Sequence, residues 1–493
     1  MISAHYPALQ VVIPLLGAVL CALVRRGSIA WLVALTVSWI MPVIAAAMLW
    51  QVLADGPISY ALGGWEPPWG IEYRVDALSG FLLLLVSGVG AVIMPYARTS
   101  VASEIHASRQ AWFYTMYLLC LAGLLGMAIT GDAFNVFVFM EISSLATYTL
   151  IALGKDRRAL LAAYQYLIVG TIGATFYVIG VGLLYSVTGS LNFVDIAGKL
   201  DAIENTRPLL SALAFLTVGI SLKLALFPLH VWLPNAYAYA PSAATSFLAA
   251  TATKVAVYLL LRFFFTVFGA GFVFETLPVS NILLVLSIAA MFGASIVAIF
   301  QDDIKRMLAY SSVAQIGYIT LGIALANQSG LTGGIVHIFN HAMMKAALFL
   351  VLGAVFYRIG SVHIDSLAGI GRRMPVTMAS FVIAGLSIIG APGTAGFISK
   401  WYLAVGALEK GWWWLVFLIV LSSLLAVVYI GRVIEIAWFR TPSEACEGVQ
   451  EPPPMMLVPI WIFTAATIYF GFFTDLSAGI AGKAAETLLG GLK

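Results

Sequence analysis

Long apolar runs separated by short polar breaks set the pattern of this chain. A run of about 20 apolar residues is long enough to cross a bilayer as a helix. Fourteen such runs are read, over 8–24, 30–53, 77–96, 111–130, 133–153, 160–187, 209–232, 242–267, 280–300, 306–326, 331–357, 375–408, 412–438 and 455–474. They predict an all-α membrane protein of about 14 transmembrane helices, with 1–493 as a single polytopic membrane domain. Two runs are interrupted. The seventh meets Pro228 and Pro234, and the twelfth meets Gly390, Pro392, Gly393 and Gly396. Proline and glycine break helices, and irregular backbone at membrane depth survives only inside protein or beside a water-filled cavity. Between the runs, 55–76 alternates polar and apolar residues at Ile71, Glu72, Tyr73 and Arg74, which predicts a short hairpin. The mixed stretch Asn192–Arg207 reads as a surface segment, and 448–456 as a loop.

Composition sharpens this picture. The chain is 62% hydrophobic and 10% charged, against about 25% charged in soluble domains. No polar segment is long enough for a separate soluble domain. A net charge of +3 with scattered basic residues gives no reason to expect nucleic acid. The first 24 residues lack a basic n-region, so the first run is expected to span rather than to be a cleaved signal. Cys21, Cys120 and Cys446 have no metal-ligand spacing. No phosphate-binding loop, dinucleotide fingerprint or haem motif is present, so neither a cofactor nor a resident metal is expected.

Lys and Arg in the loops fix orientation. Fourteen fall on one side, among them Arg25, Arg157, Lys305, Arg372 and Arg432; seven fall on the other, among them Arg74, Lys199, Arg262 and Lys493. The first side is expected to face the cytoplasm of a bacterial plasma membrane, with both termini outside. Four lysines remain inside spans: Lys223, Lys254, Lys345 and Lys400. A charge in hydrocarbon costs about 2.5–3.5 kcal/mol on insertion scales, which makes such residues functional candidates. Lysine, unlike arginine, can give up its proton when buried.

Each candidate has a plainer reading beside it. Glu141, in FNVFVFMEISSLATYTL, could tune the protonation of Lys223 or form a static ion pair with it. Lys254 lies about mid-span, where snorkelling to the surface is hard, and suits a relay. His337, His341 and Lys345 fall at i, i+4 and i+8 on one helix face, a row of about 12 Å at 1.5 Å per residue. The two histidines also have metal-ligand spacing, but no third ligand stands out. Lys400 follows the second interruption and suits proton exit or transfer to a neighbouring subunit, or anchors a helix end. His230 reads equally as a cap and as a proton group. Trp412, Trp413 and Trp414 read as an interfacial belt. The interrupted runs are five apart, which predicts two inverted five-helix repeats, 111–267 and 280–438, each containing a discontinuous helix.

The segments FMEISSLATYTLIALG, SLKLALFPLHVWLPNAYAYAPS, QDDIKRMLAYSSVAQIGYI, HIFNHAMMKAALFL and APGTAGFISK together resemble the antiporter-like subunits of respiratory complex I and of Mrp sodium/proton antiporters. The resemblance covers about 75–440. It implies a pair formed by Glu141 and Lys223, a central hydrophilic axis of Lys254, His341 and Lys345, and Lys400 as terminal lysine. Length and the segment 130–154 are most similar to the Mrp branch, with complex I subunit N and membrane-bound hydrogenase subunits close by. The short C-terminus departs from the largest complex I relative, and Lys400 departs from the glutamate of the middle one. The resemblance implies a proton-translocating subunit of a multisubunit cation/proton antiporter, a secondary transporter without a redox centre of its own. Its expected partners are other hydrophobic subunits, lipids and protons, with Na+ as the candidate coupled cation. The alternative is the proton-pumping membrane subunit of a redox-driven complex.

Overall fold

The computed structural model describes residues 2–490, so Lys493 lies outside the described residues. The chain runs in order through α1 (Tyr6–Val24), α2 (Gly27–Asp55), a hairpin of β1 (Ile58–Ala61) and β2 (Glu72–Val75), α3 (Ala77–Glu104), α4 (Ala107–Ile129), α5 (Ala133–Ala152) and α6 (Arg158–Thr188). Then come α7 (Phe193–Leu200), α8 (Arg207–Leu224), α9 (Leu233–Tyr239), α10 (Ser242–Leu261), α11 (Val279–Ile299), α12 (Ile304–Leu325) and α13 (Gln328–Ile359). The last elements are α14 (Pro375–Ile389), α15 (Ala395–Glu409), α16 (Trp413–Phe439), α17 (Pro454–Phe472) and α18 (Ile480–Gly490).

Among the described residues, thirteen helices are long and apolar enough to cross a membrane. The remaining expected span, 375–408, is two 15-residue helices, α14 and α15, which meet at a break. The chain is an all-α, multi-pass membrane protein. Side chains start many of the helices. Asp76 accepts from Ser79 N at 3.0 Å, Asp132 from Asn135 N at 2.7 Å and Asp303 from Arg306 N at 2.9 Å. Each thereby satisfies one of the N–H groups that a helix start leaves without a partner. The expected hairpin is present, antiparallel, with Tyr60 opposite Tyr73. Asn192–Arg207 contains α7, which buries Phe193 and Ile196 and leaves its other side polar.

The helices are graded by enclosure. α10, α12 and α13 occupy the middle, and every residue of α13 from Gly330 to Val355 is buried. α1, α2, α6, α11 and α16 present broad apolar faces outward, such as Leu16, Trp50, Leu160, Val285 and Phe417. That is the arrangement expected where hydrocarbon is the outer solvent, with apolar side chains on both faces of the outer helices and polar ones gathered inside.

Two basic residues read as loop charges are buried instead. Arg262 is 6% exposed at the end of α10 and pairs with Asp76, the N-cap of α3. Lys305 is 4% exposed in the first turn of α12. Both stand at helix ends, where distance along the chain cannot separate a loop from a capped, enclosed terminus. The seventh span also stops early: α8 ends at Leu224, with Ala225 left-handed at φ +59° ahead of Pro228. The chain then turns through Phe227–Trp232 before α9.

Candidate functional site

The seven singled-out residues sit on five helices. α13 contributes the central row. His337, His341 and Lys345 are each fully buried, and the two imidazoles stack almost parallel with centroids 5.9 Å apart. Helical spacing of four dictates that alignment. His337 Nε2 lies 2.9 Å from the Gln315 side-chain oxygen and Nδ1 lies 2.7 Å from Ser399 Oγ. A carbonyl oxygen only accepts, so Nε2 carries the proton and Nδ1 faces the hydroxyl. Ser399 Oγ also lies 3.1 Å from the Gly396 carbonyl, so its single hydrogen has two acceptors. Neither ring nitrogen of His341 has a hydrogen-bond partner among the described residues. Lys345 Nζ donates to Leu308 O at 2.8 Å and to Ser311 Oγ at 3.0 Å, and the Tyr429 hydroxyl donates to the same serine at 3.1 Å.

Lys254, on α10, is also fully buried. Among the described residues it donates only to its own helix, to the Ala249 carbonyl and to Thr253 Oγ1. Its helix packs against α13, which carries His341 and Lys345.

The interrupted helices hold the other two lysines. Lys223, 7% exposed near the end of α8, donates to Ser144 Oγ at 2.7 Å and reaches the Tyr148 hydroxyl at 3.5 Å, both on α5. Glu141 lies one turn before Ser144 on α5 and makes no ion-pair contact with Lys223. Its Oε1 is buried and has no hydrogen-bond partner among the described residues. Ser144, one turn along α5 from the acid, is the residue that receives the amine. Lys400, 7% exposed on α15, donates to Ile388 O at 3.0 Å, Ile389 O at 2.8 Å and Ser423 Oγ at 2.8 Å. The first two are carbonyls that α14 leaves unbonded at its C-terminus. His230 stacks on Phe227 in the first break and makes no hydrogen bond through Nδ1. Trp413 and Trp414 lie partly exposed at the start of α16.

A family described as "NADH:quinone oxidoreductase/Mrp antiporter, TM" matches residues 130–426, more than half of the chain. This chain belongs to that family. NADH-quinone oxidoreductase subunit N of Desulforudis audaxviator is 44% identical to it over 489 residues, which is 96% of this chain and 97% of that protein. The D subunit of a Na(+)/H(+) antiporter of Bacillus subtilis is 28% identical over 486 residues, 98% and 97% of the two chains. A chain of the Mrp complex from Dietzia superposes with a TM-score of 0.90 at 25% identity, over 99% of this chain and 98% of that one. The protein is an antiporter-like membrane subunit of the NADH:quinone oxidoreductase/Mrp antiporter family. All seven singled-out residues fall inside the family's matched region.

The polar partners that complete the site were not read from the sequence. Ser144, Tyr148, Gln315, Ser311, Ser399 and Ser423 each contact one of the singled-out residues. Serine and threonine are common in membrane helices, where they bond to the preceding turn, so none gives a signal by itself.

Proposed function

We propose that this chain is the proton-translocating subunit of a multisubunit monovalent cation/proton antiporter in a bacterial plasma membrane. Protons move along the buried axis of Glu141, Lys223, Lys254, His337, His341, Lys345 and Lys400. The observation that carries this is the row on α13. Three titratable side chains lie fully buried on one face of one helix, with Lys254 beside them and a lysine at a helix break on either flank.

A proton enters at Lys223, where Glu141 favours the ammonium form and withdrawal of that charge favours release. The Ser144 hydroxyl that Lys223 touches can donate or accept, so it serves both the charged and the neutral amine. The proton then passes Lys254 to His341 and Lys345. His337 can take a second proton on Nδ1, because Ser399 can then turn its hydrogen to the Gly396 carbonyl and accept from the ring. That rotation couples the row to the residue adjoining Lys400. Release follows at Lys400, or to a neighbouring subunit.

On this reading 111–267 and 280–438 are inverted repeats about that axis, the arginine-rich face is cytoplasmic and both termini lie outside. Hydrophobic subunits, lipid and a coupled cation such as Na+ complete the working assembly. Lys223→Ala and Glu141→Ala should each abolish proton transport in membrane vesicles while the complex still assembles. Normal rates in both variants would overturn the path.

The 44% identity to a subunit N favours one alternative, a proton-pumping membrane component powered by a redox arm. The buried path is the same in both readings, and the partners separate them. Iron–sulfur proteins recovered with the chain would establish the redox assembly, and small hydrophobic subunits alone would establish the antiporter.

A further inference from the structure

A cavity of about 520 Å³ opens on the arginine-rich face, between the end of α3, the starts of α6 and α12, α9 and the end of α13. It lies where the two proposed repeats meet, away from both helix breaks. Its walls carry four carboxylates and four Lys or Arg side chains, so it is strongly polar without being charged overall. Such a lining keeps water close to the protein interior without accumulating ions of one sign.

Its charged groups at the base form a connected set. Glu104 Oε1 accepts from Ser100 Oγ at 2.6 Å, and Oε2 accepts from Ser242 N at 2.9 Å and from Ser242 Oγ at 3.2 Å. The carboxylate thus sits at the N-terminus of α10, where backbone N–H groups favour an anion. Lys305 Nζ donates to the same Ser242 hydroxyl at 3.1 Å, its only hydrogen bond among the described residues, although an ammonium has three hydrogens to donate. Lys305 lines the cavity and is otherwise enclosed. Ser242 in turn presses on α13: a side chain at Gly353 would come within 2.7 Å of Ser242 Cβ and 2.2 Å of the Tyr96 hydroxyl.

The link to the axis runs along α12. Leu308, whose carbonyl receives Lys345, lies three residues after Lys305. That is about 4.5 Å along the helix and on the same side of it. One lysine therefore faces the cavity, and the other, a turn deeper, belongs to the buried row.

We propose that this cavity is a proton entrance that reaches the axis at its middle, with Lys305 as the first acceptor and Lys345 as the next. A hydronium ion in the cavity gives its proton to the neutral Lys305 amine and leaves as water. Glu104, held through Ser242, stabilises the resulting ammonium. That ammonium returns to the neutral amine as its proton passes inward to the neutral Lys345 amine, with the Ser311 hydroxyl beside the receiving nitrogen. The inference rests on the proton path proposed above and adds a second loading step to it: each cycle needs a proton at Lys223 and another at Lys305, so loss of either stops transport.

Lys305→Arg and Lys305→Met test it in the whole complex, in vesicles, with Lys345→Ala measured alongside. Arginine keeps the positive charge beside Ser242 but cannot give up its proton. Both Lys305 variants should assemble and lose transport by about a hundredfold, the scale of a positioned proton-transfer group. Full activity in Lys305→Arg would reduce Lys305 to a structural cation and overturn the entrance. Activity lost in Lys345→Ala but kept in Lys305→Arg would overturn the entrance alone, and activity kept in Lys345→Ala would overturn the path itself. A second measurement uses Gln301→Cys at the cavity wall, since the native cysteines are all buried. A bulky cationic thiol reagent attached there should block transport, and an unchanged rate after complete labelling would overturn the proposal.

Discussion

At the first interruption α8 stops at Leu224, one residue past Lys223, and the amine turns sideways to two hydroxyls on α5. At the second, α14 stops at Ile389, and Lys400 on α15 reaches back to the carbonyls that α14 leaves open. The two lysines stand at the breaks of the two proposed repeats, but their surroundings differ in kind. Hydroxyls donate or accept, so Lys223 keeps its partners whether or not it holds the proton. Carbonyls only accept, so of the three partners of Lys400 only the Ser423 hydroxyl can reverse its role, and a neutral amine there has to keep both remaining hydrogens on α14. On the proposed path, the amine at the first break is free to turn between its hydroxyls, whereas at the second it stays bound to the end of α14 and release works through the Ser423 hydroxyl alone.

The backbone at the two breaks differs in the same sense. Gly396 packs its Cα against the Ser387 carbonyl so tightly that a Cβ would come within 1.8 Å of the oxygen. Gly390 is left-handed at φ +92°, where a side chain would also meet Lys400 Cδ at 2.9 Å. The first break has no glycine and holds Ala225 in a left-handed conformation instead. The second break is closely packed around its lysine, and the first is held by prolines and one unfavourable alanine.

Four substitutions test this contrast. The largest effect is expected from Gly396→Ala, where backbone meets backbone and neither side can yield. The protein should fail to assemble, measured as its recovery with partner subunits after detergent extraction; normal recovery would show the second break to be loosely packed. Next come the lysines themselves. Lys400→Ala unpairs two carbonyls and a hydroxyl and should cost about 3 kcal/mol, whereas Lys223→Ala should cost about 1 kcal/mol because hydroxyls find other partners. Thermal unfolding of the purified complexes measures both, and equal losses would break the comparison. The smallest effect is a gain. Ala225→Gly removes the penalty on a left-handed alanine and should stabilise the protein by about 1 kcal/mol in the same assay.

The sequence carried more of the architecture than of the site's wiring. Long apolar runs, the hairpin before α3 and the break at Gly390–Gly396 were legible because each depends on local composition. The end of α8 was placed too late, since Pro228 marked the break but the helix unwinds already at Ala225. Glu141 and Lys223 were readable as charges in apolar surroundings, while Ser144 against Lys223 was not, since a hydroxyl in a membrane helix is unremarked. Lys305 and Arg262 were assigned to loops because their enclosure comes from α10 and α3, far away in sequence. Tertiary contacts of that kind leave no periodicity to read.

The row on α13 belongs to an unbroken helix of 32 residues, enclosed on all sides for most of its length. Its stations are therefore held at constant separation, like marks on a rigid rule. A gate that acts on them cannot work by stretching or bending their support. It has to work by rotating side chains, by admitting or expelling solvent, or by shifting the neighbouring halves of α8 and α14, and probes meant to catch the gate in motion belong on those neighbours.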